Sequence, residues 1–307
     1  MYTSKPRKGI INMIGFYIFL IFEKFLMLLP RKLRRNIFIG IGTLAFKFSK
    51  RYKKVVMQNL KFIYGEEVNG KFVEETTKYS FKLLLLNFLH TMEARHYSIE
   101  KLKENISFEN LEVVTKAQEA KKPIIFVTSH YGAWELGGSM VSTLVEPLMI
   151  VYKKMNNQYF QDYLLSTRAQ SRIKYVEKHG ATKGILKQLR SGGAIAILID
   201  TNIQAKDGEK VDFLGKETYQ LKSTAYFARK FDAALIPVLI HTEDDENYVI
   251  KFYDEIVPPK TDNVAADIYE STRMQSEWLS KEILKAPKPW FWLHRRWKND
   301  YPEVYKK

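Results

Sequence analysis

The sequence predicts an α/β fold with a largely parallel central sheet flanked by helices, and an N-terminal membrane-associated helix in front of it. Two observations predict this arrangement: short apolar runs alternate with helical patterns after residue 65, and a long apolar stretch near the N-terminus is followed by many basic residues. The chain has 307 residues and 46% apolar content, which is enough to bury a sizeable core.

The most apolar stretch of the chain is residues 10–29. A helix needs roughly 20 apolar residues to cross ~30 Å of hydrocarbon, and this stretch reaches that length only by including Glu23 and Lys24. A spanning helix and a helix in the plane of the membrane both remain open, beside an ordinary buried helix. A cleaved signal peptide is disfavoured because no small-residue cleavage site follows.

The positive charge of the chain is concentrated at its N-terminal end. Of a net charge of +15, residues 1–65 contribute 14 Lys and Arg against the single acid Glu23, so the remainder is nearly neutral. A near-neutral body argues against a nucleic-acid partner, whereas basic residues beside an apolar helix suit an anionic membrane. If the helix spans, the positive-inside rule places the basic segment in the cytoplasm. We predict a membrane-associated segment at 1–65 and an α/β domain at 66–307.

The α/β domain shows alternating strand and helix patterns. Strands are predicted at 123–129, 147–152, 194–200, 234–241 and 247–255, and the last alternates as an edge strand would. Helices are predicted between them at 134–145, 157–170, 182–190 and 223–231. Apolar strands separated by helices favour a parallel sheet covered on both faces. No repeat or linker divides 66–307 further.

Two predicted strand ends carry polar side chains, and ligands of such sheets bind beyond the carboxyl ends of the strands. On a continuous helix His130 and Glu135 would point ~140° apart. If His130 instead ends the strand and Gly132 allows a turn, the two side chains converge, and Glu135 accepts the proton of one ring nitrogen while the other acts as a base. A purely structural role fits the spacing equally well. Asp200, at the second strand end, binds a substrate hydroxyl, supports His130, or caps a turn.

Several chemistries are excluded by residues that the sequence lacks. With no Cys there is no disulfide, thiolate metal site or thiol nucleophile. There is no G-x-S-x-G elbow, no H-E-x-x-H zinc motif and no G-x-x-x-x-G-K-S/T phosphate loop. We therefore expect no cofactor, no metal and no acyl-enzyme intermediate. The other histidines, expected to be structural, are His90, His96, His179 and His241.

The stretch SHYGAWE, at 129–135, resembles the His-x4-Asp/Glu motif of glycerolipid acyltransferases, in the form found in the bacterial lipid A late acyltransferases. Further similar segments run through nearly the whole chain: STRAQSR at 166–172, GGAIAILIDTN at 192–202, VDFLGKET at 211–218, ALIPV at 234–238 and WFWLHRRWK at 290–298. Departures are Ala133, where an Asn is often found, and Thr201-Asn202, where a Gln or His often follows the Asp.

The resemblance implies transfer of a fatty acyl group from acyl carrier protein to a hydroxyl of a lipid A precursor, at the cytoplasmic face of the inner membrane. It implies that His130 is the general base and Glu135 its partner, with Arg168 and Asp200 as secondary site residues. The departures affect the identity of the acceptor more than the reaction type. Another glycolipid or a lysophospholipid is the alternative acceptor, and a non-catalytic lipid-binding protein is the alternative function.

Three arginines are further candidates for substrate binding. Arg168 and Arg172 are one helical turn apart and form either a phosphate clamp or a solvated helix face. Arg295, between Trp292 and Trp297, suits an anionic headgroup at a membrane interface, or belongs to a plain surface cluster. An apolar groove is expected to hold the acyl chain, at ~0.8 kcal/mol for each buried CH₂.

Overall fold

A computed structural model describes residues 9–167 and 171–306 of the chain. The helices of these residues are α1 (Ile10–Met27), α2 (Arg31–Phe48), α3 (Lys50–Tyr64), α4 (Gly70–His96), α5 (Ile99–Lys103), α6 (Glu112–Glu119), α7 (Trp134–Leu144), α8 (Gln158–Thr167), α9 (Ala181–Arg190), α10 (Ser223–Phe231) and α11 (Val264–Lys285). The strands are β1 (Ile106–Glu109), β2 (Ile124–Thr128), β3 (Leu148–Tyr152), β4 (Lys174–Glu177), β5 (Ala194–Leu198), β6 (Gly208–Phe213), β7 (Lys216–Leu221), β8 (Ala234–His241) and β9 (Tyr248–Phe252). The predicted α/β class is confirmed.

The central sheet has seven strands in the order β1-β9-β8-β2-β5-β3-β4. Every neighbouring pair is parallel except β8 with β9, which is antiparallel. Strand β2 lies at the centre, with Ile124 opposite Ala194 of β5 and Ala234 of β8. The predicted largely parallel sheet is therefore confirmed.

Successive side chains along each strand point to opposite faces of the sheet and so pack in two different hydrophobic cores. Odd-numbered residues such as Ile125 and Ile195 pack with α9, α10, α11 and the C-terminal tryptophans. Even-numbered residues such as Phe126 and Ile236 pack with α6 and α7. Burial on both faces explains why these strands appear in the sequence as continuous apolar runs.

The prediction of an edge position for β9 was wrong. β1 pairs with the outer side of β9, so β9 has a neighbour on each side. Its alternating burial comes from a half-covered face and does not mark an edge. β1 and β4 have four residues each, too few for a periodic pattern, and neither was predicted.

The first helices pack directly on the rest of the chain. α1 contacts α8 and α4 through Phe16 and Phe19, whose rings lie 6.2 and 5.1 Å from that of Tyr163. Glu23 is buried in this contact; it accepts hydrogen bonds from Tyr163 Oη and pairs with His96 Nε2, both at 2.8 Å. α1 is thus fixed to the body along one face by aromatic packing and a buried carboxylate.

The opposite face of α1 is apolar and exposed. Among the described residues, α1 is the one helix long and apolar enough to cross a membrane, with a mean hydropathy of 1.8. Its large exposed apolar side chains are Ile10, Ile11, Ile14, Tyr17, Ile18, Ile21, Phe22 and Phe25. The apolar character of the stretch is thus not explained by burial within the chain.

Candidate active site

The central feature of the candidate site is the turn that follows β2. β2 ends at Thr128, and Gly132 then adopts a φ of +59° before α7 begins at Trp134. A Cβ atom at Gly132 would lie 2.1 Å from the backbone oxygen of Ile240, so only glycine fits both the conformation and the space. The predicted succession of a strand, a turn at a glycine and the first turn of a helix is therefore present.

Two other parts of the chain hold this turn in place. Asn87 of α4 donates from Nδ2 to the Gly132 oxygen at 3.0 Å and accepts from the Glu135 backbone N–H at 3.2 Å. On the other side, two residues of the C-terminal segment bind the turn. The Pro289 oxygen accepts from the Gly132 N–H, and the Phe291 N–H donates to the His130 oxygen, both at 3.0 Å. Hydrogen bonds from α4 and from the C-terminal segment therefore fix the backbone around His130.

The partner of the His130 ring is Asp200. His130 Nδ1 lies 3.0 Å from Asp200 Oδ1. The register of the parallel strands explains the contact: Thr128 stands opposite Leu198, so the residues two positions later, His130 and Asp200, leave the sheet side by side. We predicted that Glu135 would accept a hydrogen bond from the ring, but at Nδ1 the partner is Asp200. Support of His130 was one of the roles predicted for Asp200.

The second carboxylate oxygen of Asp200 is saturated with donors. Oδ2 accepts from Ser129 Oγ at 2.9 Å, from the His130 backbone N–H at 3.0 Å and from Trp290 Nε1 at 3.0 Å. Asp200 is 3% exposed. These bonds compensate for burial of the charge and fix the orientation of the carboxylate.

The two members of the pair shift each other's pKa in opposite directions. Burial alone would raise the pKa of Asp200, but the neighbouring His130 and the donors around it hold that pKa well below its usual range. Burial alone would lower the pKa of His130, but the Asp200 carboxylate, helped by the charge of Glu135, raises it above its usual value. An ionised carboxylate can only accept, so Nδ1 carries the proton and, in the neutral ring, Nε2 carries the lone pair.

The His130 ring is only partly covered. Its side chain is 29% exposed, and its ring centroid lies 5.4 Å from that of Trp134 and 5.9 Å from that of Phe291. Trp134 and Phe291 also contact each other, at 5.4 Å. The imidazole is thus held between aromatic walls and remains accessible to a substrate.

An apolar cavity lies beside this pair, between α7 and the even-numbered face of the sheet. The space between its walls, including the open mouth, is about 750 Å³. Trp134 and Glu135 line it, together with strand side chains such as Phe126 and Ile150. Gly138 lines it as well, since the absence of a side chain there leaves space in front of Ile150.

A model of the bacterial lipid A biosynthesis acyltransferase family matches residues 3–299. The chain belongs to this family. It is similar to the lipid A biosynthesis palmitoleoyltransferase of Escherichia coli (strain K12), with 24% identity over 268 residues that cover 85% of this chain and 84% of that protein. The lipid A biosynthesis lauroyltransferase of the same organism is 24% identical over 261 residues, covering 84% and 83%. A lipid A biosynthesis acyltransferase of Shigella flexneri matches over 268 residues at 24% identity.

The resemblance found in the sequence is confirmed, and the chain is an acyltransferase. Glu135 of the acyltransferase lies on the first turn of α7, at the cavity wall, where its charge acts on His130. Among the described residues, no group of three or more His, Asp or Glu side chains is placed to hold a metal ion.

The two described arginines that were predicted to bind substrate, Arg172 and Arg295, lie on different segments of the chain. Arg168 lies outside the described residues. Arg172 is exposed in a turn with a φ of +53°, so it is not part of a regular helix. Arg295 is half-buried on the C-terminal segment and lines a surface groove next to Phe291.

The environment predicted for Arg295 differs from the one observed. Trp292 and Trp297 are fully buried core residues and do not lie at an interface. Arg296 is also fully buried, donating to the Tyr219 oxygen at 3.0 Å and to Gln220 Oε1 at 2.7 Å. Of Arg295 and Arg296, only Arg295 is partly exposed to solvent.

Trp290 and Asn87 of the acyltransferase are positioning residues that sequence reasoning missed. Trp290 was noted only as part of a family-like segment, and its indole N–H to Asp200 links residues 90 positions apart. Asn87 lies inside a long helix whose pattern contains no motif. The one signal in the sequence was a polar residue within an apolar run. Such a residue needs a hydrogen-bond partner when it is buried, as Asn87 is.

Proposed function

We propose that this acyltransferase moves a fatty acyl group from acyl carrier protein to a hydroxyl of a lipid A precursor, with His130 as the general base. The observation that carries the proposal is the His130–Asp200 pair beside an apolar cavity with an open mouth. The related enzymes are named for transfer of palmitoleoyl and lauroyl groups, which supports a fatty acyl donor. The thioester donor and the acceptor follow from the family resemblance.

The proposed step is direct transfer. Nε2 of His130 takes the proton of the acceptor hydroxyl as its oxygen attacks the thioester carbonyl. A bond forms between that oxygen and the carbonyl carbon, the carbon–sulfur bond breaks, and the imidazolium returns the proton to the departing thiolate. Asp200 holds the ring in the required tautomer and stabilises the imidazolium.

Glu135 is proposed as the second acid of the site. Its charge raises the pKa of His130, so it favours the protonated ring that forms during transfer. Its place on the cavity wall, next to the proposed acyl site, supports this role. Arg168 and Arg172 stay proposed as substrate-binding residues.

The cavity between α7 and the sheet is proposed to hold the acyl chain. Its lining is largely apolar and comes from α7 and from six neighbouring strands, β9, β8, β2, β5, β3 and β4. Each CH₂ buried there contributes ~0.8 kcal/mol. A chain inserted from the Glu135 end would leave its thioester near His130. The depth available beside Gly138 and Ile150 would then determine the preferred chain length.

Residues 1–65 are proposed to hold the enzyme at the cytoplasmic face of the inner membrane, with residues 66–307 as the catalytic domain. The exposed apolar face of α1 and the concentrated positive charge of this segment support membrane contact. The fixed contact of Phe16, Phe19 and Glu23 with the body leaves only one face of α1 available to lipid.

The test is acyl transfer by the purified full chain, with acyl carrier protein thioester as donor and a lipid A precursor as acceptor. We expect His130→Ala to lower kcat by about 10²–10⁴, the usual contribution of a general base, and Glu135→Ala to lower it as well. His179→Ala is the matched control, because the His179 side chain is 91% exposed and does not line the cavity.

Wild-type rates in both His130→Ala and Glu135→Ala would overturn the mechanism. Lipid binding without turnover of the thioester would indicate a non-catalytic lipid-binding protein instead. Transfer to a lysophospholipid or another glycolipid, in preference to the lipid A precursor, would redirect the acceptor.

A further inference from the structure

A second apolar space adjoins the candidate active site, outside the acyl cavity. It is an open groove of about 1,350 Å³, including the solvent at its mouth, between the α2–α3 junction, α4 and the C-terminal segment. Phe291 lines it and also contacts the rings of His130 and Trp134, and Trp134 in turn lines the acyl cavity. The His130 ring and its two aromatic neighbours thus stand between two apolar spaces.

The floor and the rim of this groove differ in chemistry. The floor is apolar, with Val55, Phe81 and Leu293 among its residues. The rim carries three cations: Arg51 at the start of α3, and Arg295 and Lys298 on the C-terminal segment. We call this combination the basic groove.

The charge of the basic groove is not balanced within it. No acidic side chain lines it, and none of its three cations forms an ion pair with another described residue. Another large groove, beside α11, is different, because Arg273 there pairs with Glu270 and Glu277. Uncompensated cations around an apolar floor match a ligand with an anionic head and an apolar body.

The basic groove also continues into an exposed apolar surface. Leu84 on its wall is 39% exposed. On α2, Leu44 and Phe48 are 57% and 73% exposed, directly beside the groove residues Ala45 and Ser49. A lipid therefore has an apolar path from the surface of the 1–65 segment into the groove.

We propose that the basic groove binds the acceptor, a hydroxyl-bearing lipid with an anionic, phosphate-type headgroup. The apolar part lies on the floor, Arg51, Arg295 and Lys298 hold the headgroup, and the hydroxyl approaches His130 past Phe291. The inference rests on the proposed function. It adds a separate site for the acceptor, so that the two substrates reach His130 from different sides.

The test is steady-state kinetics of the full chain in neutral detergent micelles, which remove any effect of membrane charge. The probes are a phosphorylated lipid A precursor and the same lipid after phosphatase treatment. Arg51→Ala and Lys298→Ala are each expected to raise the acceptor KM about tenfold, the size of one charge-assisted hydrogen bond. The donor KM stays unchanged, and the double variant raises the acceptor KM further.

The matched control is Lys54→Ala, which removes an exposed cation from the same helix without touching the lining of the groove. Its acceptor KM should equal that of the wild type. With the dephosphorylated acceptor, wild type and groove variants should show the same high KM.

An unchanged acceptor KM in the Arg51/Lys298 double variant would overturn the proposal, and so would an equal rise for the dephosphorylated acceptor. Failure of the groove alone is distinguishable from failure of the proposed function. In the first case the wild type is active and His130→Ala is inactive while the groove variants behave as wild type. In the second case the wild type itself transfers no acyl group.

Discussion

Replacing Asp200 by asparagine tests how the site sets the protonation of His130. In the native site Oδ2 accepts from three donors and Oδ1 from one, the Nδ1–H of His130. An asparagine satisfies more donors with its oxygen in the Oδ2 position, which turns its NH₂ group toward Nδ1. Nδ1 must then accept, so the proton moves to Nε2 and the nitrogen facing the substrate is no longer a base.

The expected effect is on the rate and on its pH dependence. Loss of the correct tautomer should lower kcat by about 10²–10⁴, the full contribution of a general base. The pKa of His130 is raised above 6.5 in the native site, so native activity is lost as pH falls through that raised pKa. Without the Asp200 charge, desolvation lowers the pKa of His130, and the acid limb of kcat/KM moves to lower pH.

The assay is the pH profile of acyl transfer for the wild type, Asp200→Asn and the control Asp262→Asn, which changes an exposed aspartate. Circular dichroism and urea unfolding show whether each variant is folded. A folded Asp200→Asn enzyme with a kcat within about threefold of the wild type and an unmoved acid limb would refute the role given to Asp200.

Two further predictions concern glycines. Gly132→Ala should lower the free energy of unfolding in urea by about 2–6 kcal/mol, because both the positive φ and the clash with the Ile240 oxygen destabilise the fold. The control Gly180→Ala, at a φ of +88° with no neighbour within 4 Å, should lose only about 1–3 kcal/mol, and equal losses would contradict the clash. Gly138→Leu should lower kcat/KM about fourfold for each donor CH₂ that it displaces in front of Ile150 and spare medium-chain donors, while a uniform loss would argue against the cavity as the acyl site.

The parallel sheet and the strand ends that carry the candidate site could be predicted because β2 and β8 are buried on both faces and, with the partly buried β5, appear as unbroken apolar runs. The same pattern placed His130 and Asp200 at strand ends. Their contact could not be predicted, since it depends on β2 and β5 being neighbours in register, and they are separated by 65 residues and by β3 and β4. Without the strand order, Glu135 was the nearer acid in sequence.

Other features depend on long-range packing that leaves no local pattern. Trp290 and Asn87 act through hydrogen bonds to residues 90 and 45 positions away. The tryptophans of the C-terminal segment suggested an interface, and the structure buries them because α3, α11 and the β6–β7 hairpin close over them. Tryptophan suits a buried core as well as a membrane boundary, so composition alone does not distinguish the two.

The central claim is that His130 acts as the base in acyl transfer to a lipid A precursor. The most direct measurement is mass spectrometry of the lipid A fraction from cells that produce either the wild-type chain or His130→Ala at equal levels. The account predicts a species heavier by one acyl chain with the wild type and its absence with His130→Ala. The same acylated species in both cells, or no acylated species with the wild type, would contradict it.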